Sequence, residues 1–250
     1  MDIQEAIKDL KQKKELSDLD DNFIKNRILE YIKEKHLEEK FKEKQFHRTS
    51  IYDAMFKDLR KKLHESYGIF RSDSFMEHHS VKERLIYYKE IYYKIFSITG
   101  KPKKILDLGC GLNPLSYKYL GCKPYYYAAD ISSFDIQEVN KFFKLNKIKG
   151  KSFIFDLVDD SYKNLPKANV CFLFKVLESL ESIKKNISKS IIQDLNSDWI
   201  VVSFAKKAVG GKVRIKKAGR SWFRKILSKL RLYYVIFDIG DEIFFVIKKH

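Results

Sequence analysis

From Lys104 onward, short apolar runs alternate with stretches of helical periodicity, and this alternation constrains the fold more than any other feature of the chain. Five runs read as strands: Lys104–Leu108, Tyr125–Asp130, Ser152–Phe155, Asn169–Phe174 and Trp199–Phe204. They are too uniformly apolar for strands with one wet face, so both faces of their sheet must be covered, the condition of parallel strands between helices. Helical stripes fall between and after them, at Leu180, Ile183, Ile187 and Ile191, and at Trp222, Phe223, Ile226 and Leu230. Two further runs, Tyr233–Ile239 and Glu242–Ile247, flank Gly240-Asp241 at hairpin spacing and predict a closing antiparallel pair. The first hundred residues have only helical stripes. One follows a helix start at Ser17-x-x-Asp20, a second runs from Ile51 to Leu63, and a third runs from Val81 to Ile95. The expected organisation is a helical subdomain over residues 1–75 and an α/β domain over 76–250.

Composition sets the class. Hydrophobic residues make up 44% of the 250, enough for a sizeable core. The longest apolar runs, such as Val170–Phe174, are far shorter than the roughly 20 residues of a membrane span. Met1 to Glu5 lead into a mixed-charge helix and not into an apolar signal core. Three cysteines, Cys110, Cys122 and Cys171, lack C-x-x-C spacing and imply neither a disulfide framework nor a zinc ribbon. A soluble cytoplasmic monomer with no metal is expected. The net charge of +17 is unevenly placed: residues 1–72 carry +2, residues 73–200 carry +5 and residues 201–250 carry +10. Between 206 and 231 there are eleven Lys or Arg and no Asp or Glu, which points to a polyanionic partner, nucleic acid before membrane.

The first strand runs into Asp107-Leu108-Gly109-Cys110-Gly111-Leu112-Asn113-Pro114. Two glycines at a strand end let backbone approach a nucleotide, at the carboxyl edge where open α/β sheets bind ligands. Pro114 stands where a dinucleotide fingerprint needs its third glycine, which disfavours a pyrophosphate. Asp130 ends the second strand, nineteen residues beyond Gly111, placed to accept hydrogen bonds from both hydroxyls of a ribose. Asp156 follows the third strand and is placed to meet an adenine amino group. Asp107, near the end of the first strand, and Ile131 and Leu157, next to these acids, complete the expected pocket. Five α/β repeats closed by an antiparallel pair, with acids at successive strand ends, fit a class I S-adenosylmethionine-dependent methyltransferase, a Rossmann-like seven-stranded sheet, better than a nicotinamide dehydrogenase. The cofactor expected is S-adenosyl-L-methionine. Cys110 reads as a packing residue, and the neighbouring His78 and His79 do not face one another on a helix and are no metal site.

Upstream, His78-His79-Ser80-Val81-Lys82-Glu83-Arg84-Leu85 precedes the sheet. With Leu106–Leu115, Leu173-Phe174-Lys175, Ser203-Phe204-Ala205 and the basic Lys207–Lys212 loop, this segment resembles the Arm/Rmt-type aminoglycoside-resistance methyltransferases, which modify guanine N7 in the decoding site of 16S ribosomal RNA. The resemblance spans roughly residues 44–235. It implies that Arg84 holds the cofactor's methionine carboxylate, which a guanidinium grips by a bidentate contact. It further implies that Lys175 lies beside the methionine moiety or the target base, with Glu178 in the same pocket; these two are the candidate catalytic residues. RNA would be held by Lys44, His47 and Arg48 in the helical subdomain and by Lys206, Lys207, Lys212, Arg214, Lys216 and Lys217 after the fifth strand. Ala205 and Ile215-Lys216-Lys217 depart from the family's pattern in this substrate-facing stretch, so another RNA nucleotide, or a non-catalytic RNA-binding or ribosome-assembly role, stays open.

No Asn/Asp-Pro-Pro-Tyr/Phe motif follows the fourth strand, and no Pro-Cys nucleophile is present. Guanine N7 already offers a lone pair and needs no proton removed, so catalysis would be mostly placement of the base. Trp222 or Phe223 could stack on a flipped guanine, although their helical spacing favours packing.

Overall fold

The computed structural model describes residues 2–13, 16–66, 84–206 and 220–249. The chain divides into two compact units, one of residues 1–71 with 131–134 and one of 72–130 with 135–250.

In the first unit, helices α1 (Ile3–Lys11), α2 (Asp21–Glu34), α3 (Glu38–Lys42) and α4 (Ser50–Ser66) enclose a core that includes Leu10, Phe23, Ile24, Ile28, Met55 and Leu59. Helix α2 starts at Asp20, whose carboxylate accepts the backbone N–H groups of Asn22 and Phe23. Ser17 lies outside that cap. Residues 131–134 belong here because Asp20 N–H donates to the Ile131 carbonyl at 3.1 Å, and Ser133 N–H donates to the Asp18 carbonyl at 2.8 Å. Lys44 and Arg48 are exposed and His47 is half-buried around the single helical turn Phe46–Arg48.

Among the described residues, the second unit opens with Arg84 and helix α5 (Tyr88–Thr99) and contains one sheet of seven strands. These are β1 (Lys104–Leu108), β2 (Tyr125–Asp130), β3 (Gly150–Ile154), β4 (Ala168–Phe174), β5 (Ser197–Ala205), β6 (Tyr234–Ile239) and β7 (Glu242–Lys248), in the order β3-β2-β1-β4-β5-β7-β6. Strands β1 to β5 pair in parallel, and β7 pairs antiparallel with both β5 and β6. Helices α6 (Ser133–Leu145), α7 (Leu177–Ile183), α8 (Ile187–Asp194) and α9 (Ser221–Lys229) complete the alternation. The central strands are buried on both faces: Leu106, Leu173, Val202 and Phe245 pack into one layer, and Ile105, Phe172, Val201 and Phe244 into the other.

The structure corrects three expectations. The Leu180–Ile191 stripe is not one helix, because Asn186 takes a left-handed conformation at φ 65° and separates α7 from α8. The third stripe does not run unbroken as a helix past Arg84. Instead residues 85–87 form a turn and α5 begins at Tyr88. Phe223 is wholly buried against Phe204 and Phe245, so it has no face to offer a base.

Candidate cofactor and substrate site

The order of the strands creates the site. β1 has β2 on one side and β4 on the other, so the chain leaves in opposite directions and a crevice opens at the carboxyl end of β1, the switch point of the sheet. Gly109 and Gly111 lie there with φ of 62° and 46°, a region that L side chains avoid. A Cβ on Gly109 would stand 2.7 Å from Val176 Cγ2 and 3.7 Å from Leu157 Cδ1, so only hydrogen fits. Gly111 N–H donates to Asp130 Oδ2 at 2.8 Å, tying the glycine turn to the end of β2. Cys110 is buried and its thiol is pushed well above its usual range by desolvation, which suits a packing residue and not a nucleophile.

Beneath the turn runs a buried polar network. Asp107 Oδ2 accepts from Asn113 Nδ2 at 2.8 Å and from the Tyr126 hydroxyl at 2.7 Å, while Tyr88 donates to Asn113 Oδ1 at 3.1 Å. Burial pushes the Asp107 carboxyl up to about 6, against the pull of these donors. Asp107 therefore braces the cradle from below. Asp156 Oδ1 accepts the Val158 N–H at 2.8 Å, which folds the loop after β3 back on itself, and Leu157 is buried beside Gly109. The side chain of Ile131 packs in the core of the helical unit.

The charged end of the site holds a residue that sequence reasoning missed. Glu242, at the first position of β7, is buried and receives Arg84 Nε on Oε1 at 2.6 Å. Lys175 Nζ lies 3.4 Å from the same oxygen. Arg84 also stacks over Phe174, 5.0 Å from the ring centroid, and its Nη2 has no hydrogen-bond partner among the described residues. Desolvation would raise the Glu242 carboxyl, but Arg84 and Lys175 outweigh it and hold the group below its ordinary range. Lys175 itself occupies a left-handed backbone position at φ 59° at the end of β4. The one available signal was an acid opening an otherwise apolar strand directly after the Gly240-Asp241 turn. That turn is clasped by Tyr87, whose ring leaves no room for a Cβ on Gly240.

Glu178 has a partner that the sequence did not suggest. Its carboxylate makes a two-pronged pair with Arg220, at 2.7 and 3.1 Å, and Arg220 also donates to the Ala205 carbonyl at 2.7 Å. Burial raises the Glu178 carboxyl more than Arg220 lowers it. This clamp joins the end of β5 to the start of α9. Lys206 N–H donates to the Asp241 carbonyl at 2.7 Å, and its Nζ lies 3.8 Å from Asp238. Trp222 is half-buried and packs edge-on to Phe204. Lys207, Lys212, Arg214, Lys216, Lys217, His78 and His79 lie outside the described residues. Among the described residues, no group of three His, Cys, Asp or Glu is arranged to hold a metal ion, and no helix is long and apolar enough to cross a membrane.

A parallel sheet closed by an antiparallel hairpin, with a glycine cradle and an acid at the next strand end, defines the class I methyltransferase fold. Within it, the chain belongs to the ribosomal RNA methyltransferase (FmrO) family, whose model matches residues 65–221. It is 30% identical over 177 residues to a 16S rRNA (guanine(1405)-N(7))-methyltransferase of Micromonospora echinospora, covering 69% of this chain and 63% of that protein. It is also 30% identical over 184 residues to the protein of that description from Serratia marcescens, covering 69% of this chain and 68% of that protein. The match thus spans a little under two thirds of the Micromonospora protein, and 47% of a relative from Frankia casuarinae. Among solved structures, the 16S rRNA methyltransferase RmtF in complex with S-adenosyl-L-homocysteine superposes with a TM-score of 0.81 at 22% identity, over 100% of both chains.

Proposed function

We propose that the chain is an S-adenosylmethionine-dependent methyltransferase acting on guanine N7 of 16S ribosomal RNA in the small-subunit decoding site. The observation that carries this reading is the Gly109, Gly111 and Asp130 cradle together with a buried Arg84, all four within the segment matched by the family model. The cofactor fits the residues present: Gly109 and Gly111 hold a positive-φ turn that brings bare backbone to the end of β1, and Arg84 has an Nη2 with no hydrogen-bond partner among the described residues, suited to a carboxylate. When bound, the cofactor supplies an electrophilic methyl on a sulfonium.

The protein's own task is then placement. Asp130 would hold the ribose hydroxyls, Leu157 would flank the adenosine, and Asp156 would stand near the adenine. Arg84 and Lys175 would fix the methionine end. Guanine N7 carries its own lone pair, so no general base is required, and aligning the base in line with the methyl supplies the rate. In this reading Glu178 acts through Arg220, which ties the end of β5 to the start of α9. The RNA contacts would come from Lys44, His47 and Arg48, and from the basic stretch that begins at Lys206. A cytoplasmic monomer working on assembled small subunits accords with this role.

Three results test it. Asp130→Ala, which removes the carboxylate that Gly111 N–H donates to, is expected to weaken cofactor binding at least about tenfold, since a charge-assisted hydrogen bond contributes roughly 1.5–3 kcal/mol. Unchanged calorimetric affinity in the folded variant would move the cofactor elsewhere. Paired Lys212→Glu and Arg214→Glu changes are expected to abolish methylation of small subunits while leaving cofactor affinity intact, with a flatter salt dependence of subunit binding. Equal activity at moderate salt would show that this run serves something other than RNA. Mapping the methylated nucleotide in wild-type reactions decides between N7 of the decoding-site guanine and any other acceptor.

A further inference from the structure

The edge of the sheet opposite the cofactor cradle is also strongly positive, yet the proposed reaction makes no use of it. From three residues before each start to one residue after it, β1, β2, β3 and β4 contain eight lysines and no acid. All eight are exposed. Among the described residues, none of them forms an ion pair. The four strands are neighbours, in the order β3-β2-β1-β4, so the lysines form one continuous row and not scattered points. With strands about 4.8 Å apart, the row is about 14 Å long, enough to meet several phosphates. It ends at β5, where Asp194 and Asp198 replace the lysines.

A solvated face in a lysine-rich chain would mix its signs and would not need a rigid backbone. This row has one. Pro102, Pro124 and Pro166, three of the chain's four prolines, stand one or two residues before β1, β2 and β4 and restrict the entering backbone. Asn169 Oδ1 accepts the N–H groups of both Lys103 and Lys104, each at 3.0 Å. Tyr125, partly exposed and in register with Lys104, adds an aromatic face within the row. Cations on a fixed backbone with an interleaved aromatic are the chemistry that holds a nucleic-acid strand.

We propose that this amino edge of the sheet is a second RNA-binding surface, which grips the phosphate backbone of a ribosomal RNA segment other than the one presenting the target guanine. At about 3.3 Å per residue, the five and six residues of β1 and β2 put the row roughly 15–20 Å from the cradle, too far for one nucleotide to touch both. The choice of RNA over other polyanions rests on the function proposed above. The surface itself rests on the row of lysines.

The test is the triple variant Lys103→Glu, Lys149→Glu, Lys167→Glu in the full chain, with the Lys→Gln triple as a second form should charge reversal impair folding. Binding to a fluorescein-labelled RNA duplex and to purified small subunits is followed by anisotropy and sedimentation across a salt series. The expected result is a loss of at least tenfold in affinity at low salt for both probes. The slope of log K against log salt should fall by about 0.7–0.9 for each phosphate that the protein no longer neutralises. Cofactor affinity, and turnover at saturating subunit concentration, should hold. Unchanged affinity and slope in both triples would overturn the proposal. So would wild-type binding to phosphatidylserine vesicles tighter than to RNA and abolished in the triples. If the wild-type chain fails to methylate 16S RNA while the triples still lose RNA affinity and slope, the proposed reaction falls and this surface stands.

Discussion

Arg84→Ala is expected to destabilise the protein by about 3–5 kcal/mol and to reduce cofactor binding below detection. Removing one partner of a buried ion pair strands the other charge. Here the stranded group is Glu242, which is 3% exposed and would keep, among the described residues, Lys175 at 3.4 Å as its counter-charge. The change also leaves Phe174 without the guanidinium that covers its ring. Glu242→Gln is expected to cost less, because an amide oxygen can still accept from Arg84 Nε while no negative charge is left to bury. Denaturant unfolding of both single variants and the double variant gives the coupling directly, and a substantial favourable coupling energy is expected. If Arg84→Ala unfolds within about 1 kcal/mol of wild type, the pair carries no stability.

Gly109→Ala is expected to reduce cofactor affinity at least about tenfold and stability by about 1–3 kcal/mol. Two causes add. The backbone stands at φ 62°, where an alanine is strained by roughly 1–2 kcal/mol, and the new methyl would meet Val176 Cγ2 at 2.7 Å and its Cβ at 3.2 Å. Val176 is β-branched and has little rotamer freedom with which to withdraw. The turn itself would have to move, and with it the N–H of Gly111 that reaches Asp130. Gly121→Ala is the control, since it shares a positive φ of 66° but its Cβ would meet nothing within 4 Å. It isolates backbone strain from collision, and should leave cofactor affinity unchanged. A Gly109→Ala protein with wild-type affinity would show that the cofactor does not rely on this turn.

Much of the α/β unit was legible in the residues, because its signals are local. The alternation of apolar runs and helical stripes reports burial on two faces. The spacing of Gly240-Asp241 between two apolar runs reports a hairpin. Gly109, Gly111 and Asp130 were legible as a set because the end of a strand, a tight turn and the end of the next strand stand close in sequence, and the Gly111–Asp130 hydrogen bond joins them directly. The break at Asn186 was harder to see: hydrophobic periodicity continues through it, and only the left-handed backbone of one residue reveals that the helix stops.

Long-range pairing is where sequence reasoning ran out. Arg84 and Glu242 lie 158 residues apart, and nothing near Glu242 marks it as the counter-ion of an arginine before the first strand. Glu178 has the residue type and position of a pocket acid, yet Arg220, 42 residues further on, engages it and fixes the end of β5 instead. The lysine row is the same case: Lys103, Lys123, Lys149 and Lys167 look scattered along the chain until the order β3-β2-β1-β4 lines them up. Composition, periodicity and turn chemistry act over a few residues, so the sequence by itself determined most of the elements, the family and the glycine turn that Asp130 closes. Which distant charges share a buried oxygen, and which exposed ones share an edge, depends on strand order and register, and only the tertiary structure decides those.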